Sequence, residues 1–209
     1  HPVILHPRVV EAYVLETLLH NLSGATVFHG EGRFRREQFG SSYPALREDL
    51  TLRLDPLLPM SAGSYRFTSD GLPASPCTFI DRGRLVRPVL DLKYARRLGL
   101  PPTPLPLAMD AIFLEGPAAL TLESAMERAG EGALVLSVLG IHTQDSGSGD
   151  FSLAAPQVLR IEGGSVSGRI RATISGNLFD LLADPDLLFV RFEGEHTPGL
   201  LAGCRLDPK

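Results

Sequence analysis

From Ser165 to Ser175 the chain alternates strictly, with Val166, Gly168, Ile170, Ala172 and Ile174 on one parity and Ser165, Ser167, Arg169, Arg171, Thr173 and Ser175 on the other. A period of two sends successive side chains to opposite faces, so this stretch predicts a strand with one face in the core and one in water. Gly163-Gly164 separates it from Gln157–Glu162. Paired glycines tolerate the positive φ of a tight hairpin turn, so the two runs predict a β-hairpin. The apolar run Leu134–Leu139 predicts a buried strand, and Leu187–Phe192 predicts another.

Helical periodicity is weaker. Val10, Val14 and Leu18 recur at i, i+4 and i+8 with Leu15 and Leu19 beside them, predicting a helix over Glu11–His20 that Asn21, Ser23 and Gly24 stop. A second helix is predicted over Leu92–Leu98, closed by Gly99 and by Pro101-Pro102, which cannot continue it. A third opens at Thr121, an N-cap residue, and runs to Ala129 before Gly130. Pro101–Pro106 holds four prolines in six residues and predicts a stiff extended connection. Many short strands with about three short helices predict an α+β fold on a curved, mostly antiparallel sheet, able to close toward a barrel.

Composition narrows the function classes. At 209 residues, 44% hydrophobic and 21% charged, the chain can bury one sizeable core, and residues 1–209 are expected to form a single domain. The net charge is -4, and the basic residues scatter apart from Arg33, Arg35 and Arg36, which argues against a nucleic-acid partner. Cys77 and Cys204 lie far apart in no Cys-x-x-Cys spacing, so the expectation is two buried free thiols and no disulfide framework. No apolar run approaches the ~20 residues of a membrane span, and the N-terminus lacks the order of a signal peptide. A cytoplasmic location without a membrane partner is expected.

The stretch from Gly140-Ile141-His142-Thr143 through Gly149-Asp150-Phe151-Ser152-Leu153 to Ile161-Glu162-Gly163-Gly164, with Gly176-Asn177 on the returning strand, resembles the C-terminal half of the TldD/PmbA family. Upstream, Leu50-Thr51-Leu52, Asp55-Pro56, Asp70-Gly71, Phe79–Leu85 and Tyr94–Gly99 resemble the family's central segment in the same order. The family comprises two-subunit metallopeptidases, also described as modulators of DNA gyrase and as U62-type peptidases. The resemblance implies a C-terminal domain without the family's preceding α/β domain, and a chain that begins at His1 as a fragment or a shortened relative.

In the catalytic type of this family, a His-Glu-x-x-x-His run on a helix and a Cys near the C-terminus hold zinc. Zinc needs imidazole and thiolate donors, and the Glu can serve as base on the metal-bound water. Laid over Leu18–Ala25, the run matches at His20 but meets Asn21 where the Glu would stand and Ala25 where the second His would stand. Asn takes up no proton and Ala has no lone pair, so the resemblance implies neither a catalytic residue nor a metal ligand here. Cys204, after Pro198-Gly199-Leu200-Leu201, resembles the closing strand of the PmbA type and is expected to be a structural thiol. His1, His6, His20 and His29 crowd the N-terminal region without a zinc spacing supported by a third ligand.

His142, Asp145 and Asp150 could form a polar cluster on one loop, and the resemblance puts this loop near a peptide-binding cleft. His142, Asp150, Phe151 and Ser152 are therefore the expected peptide contacts. Gly147-Ser148-Gly149 is followed by no Lys-Ser/Thr and by no predicted helix, so it is not read as a phosphate cradle. The reading that results is a PmbA- or TldE-like subunit with no cofactor of its own. Its expected partners are a TldD-like catalytic subunit, further copies of itself and an unfolded peptide. A free-standing peptide- or protein-binding scaffold is the alternative, and a metallopeptidase rewired through His20 with His29 or His142 is the third.

Overall fold

The computed structural model describes residues 1–41, 46–117 and 119–209. In chain order the strands are β1 (Pro2–Leu5), β2 (Thr51–Leu54), β3 (Cys77–Asp81), β4 (Arg84–Leu85), β5 (Ile112–Glu115), β6 (Leu120–Thr121), β7 (Gly132–Leu139), β8 (Asp150–Glu162), β9 (Ser165–Asn177), β10 (Leu188–Arg191), β11 (Gly199–Gly203) and β12 (Arg205–Pro208). Helix α1 begins at Pro7–Val9, widens to a π-helical turn over Val10–Leu15 and continues as Glu16–Leu22. The remaining helices are α2 (Gly24–His29), α3 (Leu92–Leu98), α4 (Leu122–Ala129) and α5 (Leu178–Ala183). Contacts group the chain into two compact units: His1–Glu16 with Gly116–Lys209, and Thr17–Glu115.

The first unit is built on an eight-stranded sheet in the order β12-β9-β8-β7-β1-β11-β10-β6. Its pairs are antiparallel except β1 with β7 and β10 with β6. The sheet is mixed and open, so the α+β class holds while the barrel closure does not occur. A core of Ile4, Leu134, Ile161, Val190 and Leu201 packs against Ala125 and Ala129 of α4. Thr121 caps that helix as expected, its hydroxyl accepting from the Ser124 N–H at 3.2 Å.

Hairpin β8–β9 follows the sequence pattern and extends it. Gly163 (φ 56°) and Gly164 (φ 76°) form the turn, and the paired strands run from Glu162↔Ser165 back to Asp150↔Asn177. The register shifts between Ala155 and Val158, which admits Pro156 into a strand that could not otherwise spare its amide hydrogen. The alternation buries only part of its face: Ala172 and Ile174 are buried, but Val166 near the turn is 49% exposed. Strand β12 pairs with β9 over Ala172–Ser175 alone. Among the described residues, Ser165–Ile170 therefore has β8 on one side and no strand on the other. Strand β7 is likewise less buried than its apolar run implies. Its register shifts on both sides of Ser137, and Leu139 is 60% exposed.

In the second unit, β4-β3-β2-β5 form an antiparallel sheet. Leu92–Leu98 is helical as expected, with Asp91 accepting from the Tyr94 N–H at 2.7 Å and Gly99 closing it in the left-handed region. Helix α2 is an element the sequence reading missed. Ser23, read as a stop, is its N-cap, accepting from the Thr26 N–H at 3.3 Å, and Gly30 ends it at φ 69°. Three helices of seven residues or more are present among the described residues, Glu16–Leu22, Leu92–Leu98 and Leu122–Ala129. None is long and apolar enough to cross a membrane.

His6 caps the start of α1, its Nδ1 accepting from the Arg8 N–H at 3.2 Å, and its ring stands edge-on to Phe192 at 4.8 Å. Burial lowers its pKa from 6.5, with Arg8 adding to the shift and Glu195 and Glu11 opposing it. A protonated ring cannot accept the cap bond. The neutral form is thus favoured in the folded state, and the stability it lends is present above 6.5 and lost as pH falls through the lower folded value. We expect the thermal midpoint to decline below pH 6.5 and His6→Asn, which keeps an acceptor without titrating, to flatten that part of the profile. Equal slopes for the two proteins in pH-dependent melting would exclude His6 as the source.

Candidate functional site

The segment aligned with the zinc-binding run is a structural joint. Asn21, near the end of α1, is fully buried. Its Nδ2 donates to the Thr17 carbonyl at 2.9 Å, and its Oδ1 accepts from the Arg33 N–H at 2.6 Å. The return of the chain past Gly32 depends on this contact, because a Cβ at Gly32 would fall 2.6 Å from Asn21 Oδ1 and 2.5 Å from Thr26 Cγ2. His20 is exposed, and Ala25 lies on α2, beyond the break at Ser23. The two positions thus belong to different helices. His29 is exposed and stands against the rings of Phe28 and Tyr94, at 5.0 and 6.2 Å.

Among the described residues no three His, Cys, Asp or Glu gather to hold a metal ion. Both cysteines are free and buried. Burial raises the Cys77 thiol, Arg87 partly opposing it, and pushes Cys204 up to about 11, the N-terminal ammonium partly opposing it. Both are therefore protonated at neutral pH, unlike a metal-binding thiolate.

The loop between β7 and β8 in the first unit uses most of its polar groups on itself. Asp145 Oδ1 accepts from the N–H groups of Gly147 and Ser148 at 2.9 and 3.3 Å, and its carbonyl accepts from the Gly149 N–H at 3.1 Å. The amides that a phosphate cradle would need are thereby occupied. Gln144 closes the other side, donating to the Gly140 carbonyl at 3.0 Å while its Oε1 accepts from the Ser152 N–H at 2.8 Å. Asn177 ties the loop to the hairpin. Its Nδ2 donates to the Ser148 carbonyl at 3.1 Å and to Asp150 Oδ1 at 2.8 Å. Its Oδ1 caps α5 by accepting from Phe179 and Asp180 N–H at 2.9 and 3.2 Å.

The four expected peptide contacts therefore have different surroundings. His142, on the short turn Ile141–Thr143, is exposed, as are Asp150 and Ser152. Phe151 is 6% exposed and packs against Tyr13 with ring centroids 5.2 Å apart. The Tyr13 hydroxyl donates to the Gly149 carbonyl at 3.3 Å. No hydrogen bond joins His142 to Asp145 or Asp150 among the described residues; Asp145 serves the turn and Asp150 serves Asn177. Asn177 is the residue whose role the sequence reading did not extract. The signal was an Asn directly before Leu178-Phe179-Asp180-Leu181-Leu182, an N-cap followed by an apolar turn.

Comparison with known proteins places these features. The chain matches the PmbA/TldA metallopeptidase C-terminal domain over residues 1–197. It superposes on a candidate modulator of a DNA gyrase from Thermotoga maritima with a TM-score of 0.81 at 23% identity, covering 100% of this chain and 49% of that one. A candidate modulator of DNA gyrase from Bacteroides thetaiotaomicron gives 0.80 at 19% identity, covering 100% and 47%. TldE from Thermococcus kodakarensis gives 0.75 at 21% identity, covering 98% and 49%. The chain thus spans about half the length of these proteins, and at such identities the likeness shows the shared fold. No curated protein matches it.

Asn21→Ala would leave the part-buried Arg33 amide contact and the buried Thr17 carbonyl contact unmade, at a cost of about 1–3 kcal/mol. Asn21→Asp, which removes the donor and buries a charge, should cost at least as much. Chemical denaturation checks both; wild-type stability in either variant would contradict the joint.

Proposed function

The chain belongs to the PmbA/TldD metallopeptidase family as its C-terminal domain, and from that premise we propose that it acts as a PmbA- or TldE-like, non-catalytic member of a peptide-processing assembly. Residues 1–209 would function together as that domain, in the cytoplasm, with a TldD-like partner supplying zinc and the general base. The observation that carries this reading is Asn21. A side chain whose amide is spent on Thr17 and Arg33 has no proton-accepting role toward a metal-bound water, and no ligand cluster stands beside it among the described residues.

Its part in the assembly would be to hold an extended, unfolded peptide. The unpaired edge of β9 over Ser165–Ile170 supports strand addition, in which main-chain hydrogen bonds supply affinity and side chains are tolerated broadly. The loop end of the hairpin suits this less, since Gln144 already accepts the Ser152 amide hydrogen. His142, Asp150 and Ser152 would instead meet peptide side chains from that loop, with Phe151 supporting the strand from the core.

Two measurements test the reading. Peptide hydrolysis is expected from a mixture with a zinc-bearing TldD-like subunit and not from this chain alone; turnover by this chain alone would overturn it. For a bound peptide, proline or N-methyl substitution along the backbone should weaken binding more than truncating side chains to Ala. The reverse order would exclude strand addition.

A further inference from the structure

A groove of about 480 Å³ lies wholly within the second unit. Phe39, Pro88, Leu90 and Leu100 give it an apolar lining, and Arg36 and Arg87 also line it. Its walls are fixed by hydrogen bonds. The Gly40 N–H donates to the Leu85 carbonyl at 2.8 Å, fastening the turn Arg36–Gln38 to β4. The Val86 N–H donates to the Phe79 carbonyl at 2.9 Å. Opposite, Thr103 of the proline-rich stretch is buried and doubly bonded to Leu90, its N–H donating to the carbonyl at 3.0 Å and its Oγ1 accepting the Leu90 N–H at 2.7 Å. A groove held this way meets a ligand already shaped.

Among the described residues, no ion pair neutralises the two arginines of the groove. Ion pairs among the described residues join Arg47 to Asp49, Arg53 to Glu115, Arg160 to Glu162 and Arg205 to Asp207. Arg36 and Arg87 take part in none of them. Arg35, next to Arg36 in sequence, is committed to the Gly30 carbonyl that ends α2. The second unit as a whole carries twelve basic against ten acidic residues, whereas the first carries eight against fourteen, so the positive field belongs to the unit that holds the groove.

Two arginines in an otherwise largely apolar lining favour a ligand with a carboxylate next to an apolar group. Arg offers planar paired donors that match a carboxylate bidentately, and the apolar lining rewards burial of a hydrocarbon side chain. In a peptide carboxyl terminus both features hang from one Cα, which suits so small a volume. An internal Asp or Glu sets its charge on a flexible side chain and keeps backbone on both sides, which the groove would have to pass. We propose that this groove binds the carboxyl end of a peptide whose last side chain is apolar. The inference rests on the reading of the chain as a peptide-handling subunit, but binding here needs neither a partner subunit nor hydrolysis, so the two fail separately.

The test is calorimetric titration of the full chain with an N-acetylated pentapeptide ending in Leu, as the free acid and as the amide. The acid should bind at least about tenfold more tightly, as expected of a charge-assisted pair. Arg36→Gln and Arg87→Gln, exposed changes checked by thermal melting, should each weaken the acid several-fold and leave the amide unchanged, while Arg97→Gln on α3 should change neither. Equal binding of acid and amide, no binding of the acid, or insensitivity to both groove substitutions would overturn the proposal. So would equal binding of an amidated peptide carrying an internal Glu beside Leu, which would redirect the groove to acidic side chains.

Discussion

A fully buried carboxamide must have its donors and acceptor matched, and at Asn21 that requirement organises the surrounding chain. The amide bonds backward to Thr17 within α1 and forward to Arg33, twelve positions on. The Gly32 position must then be free of a Cβ, and the chain can return past the helix end only along one path. A Glu at this position would bury a longer, charged side chain where the structure offers one amide hydrogen and one carbonyl, an arrangement that carries a heavy desolvation penalty. In place of a base or a metal ligand, this position holds a contact that ties Thr17, Asn21 and Arg33 together within one unit.

The same economy of polar groups governs the hairpin loop. Asp145, Gln144 and Asn177 each saturate backbone groups of their own neighbourhood, and Asn177 links loop, hairpin and α5 at once. A loop whose amides are occupied is a rigid platform with exposed side chains at its rim, and no anion cradle. Different in kind are two other features: a strand edge in the first unit with no partner strand among the described residues, and an arginine-flanked groove in the second. Under the proposed function these would address features common to all peptides, the main chain and the terminus.

Local patterns carried much of the fold. Alternation and Gly163-Gly164 identified the long hairpin, and Thr121 lies where a cap was expected, because a strand face or a helix end is set within a few residues. What escaped was non-local or ambiguous in its neighbours. Ser23-Gly24 can end a helix or begin one, and only the bond from Thr26 decides that it begins α2. The pairing of β1 with β11, which joins Pro2 to Gly203, and its parallel pairing with β7 leave no local trace, so an open mixed sheet could not be told from a closing barrel. Arg36 and Arg87 lie 51 positions apart, and their meeting at one groove was equally hidden. At the aligned zinc run the sequence indicated what Asn21 cannot do; what it does instead depends on Arg33.

Zinc content per chain, by elemental analysis after equilibration with micromolar zinc and exhaustive dialysis, tests the central claim most directly. If Asn21 and Ala25 mark a segment given over to structure, dialysed protein retains essentially no zinc. One retained equivalent per chain would contradict the account and return hydrolysis to this chain itself.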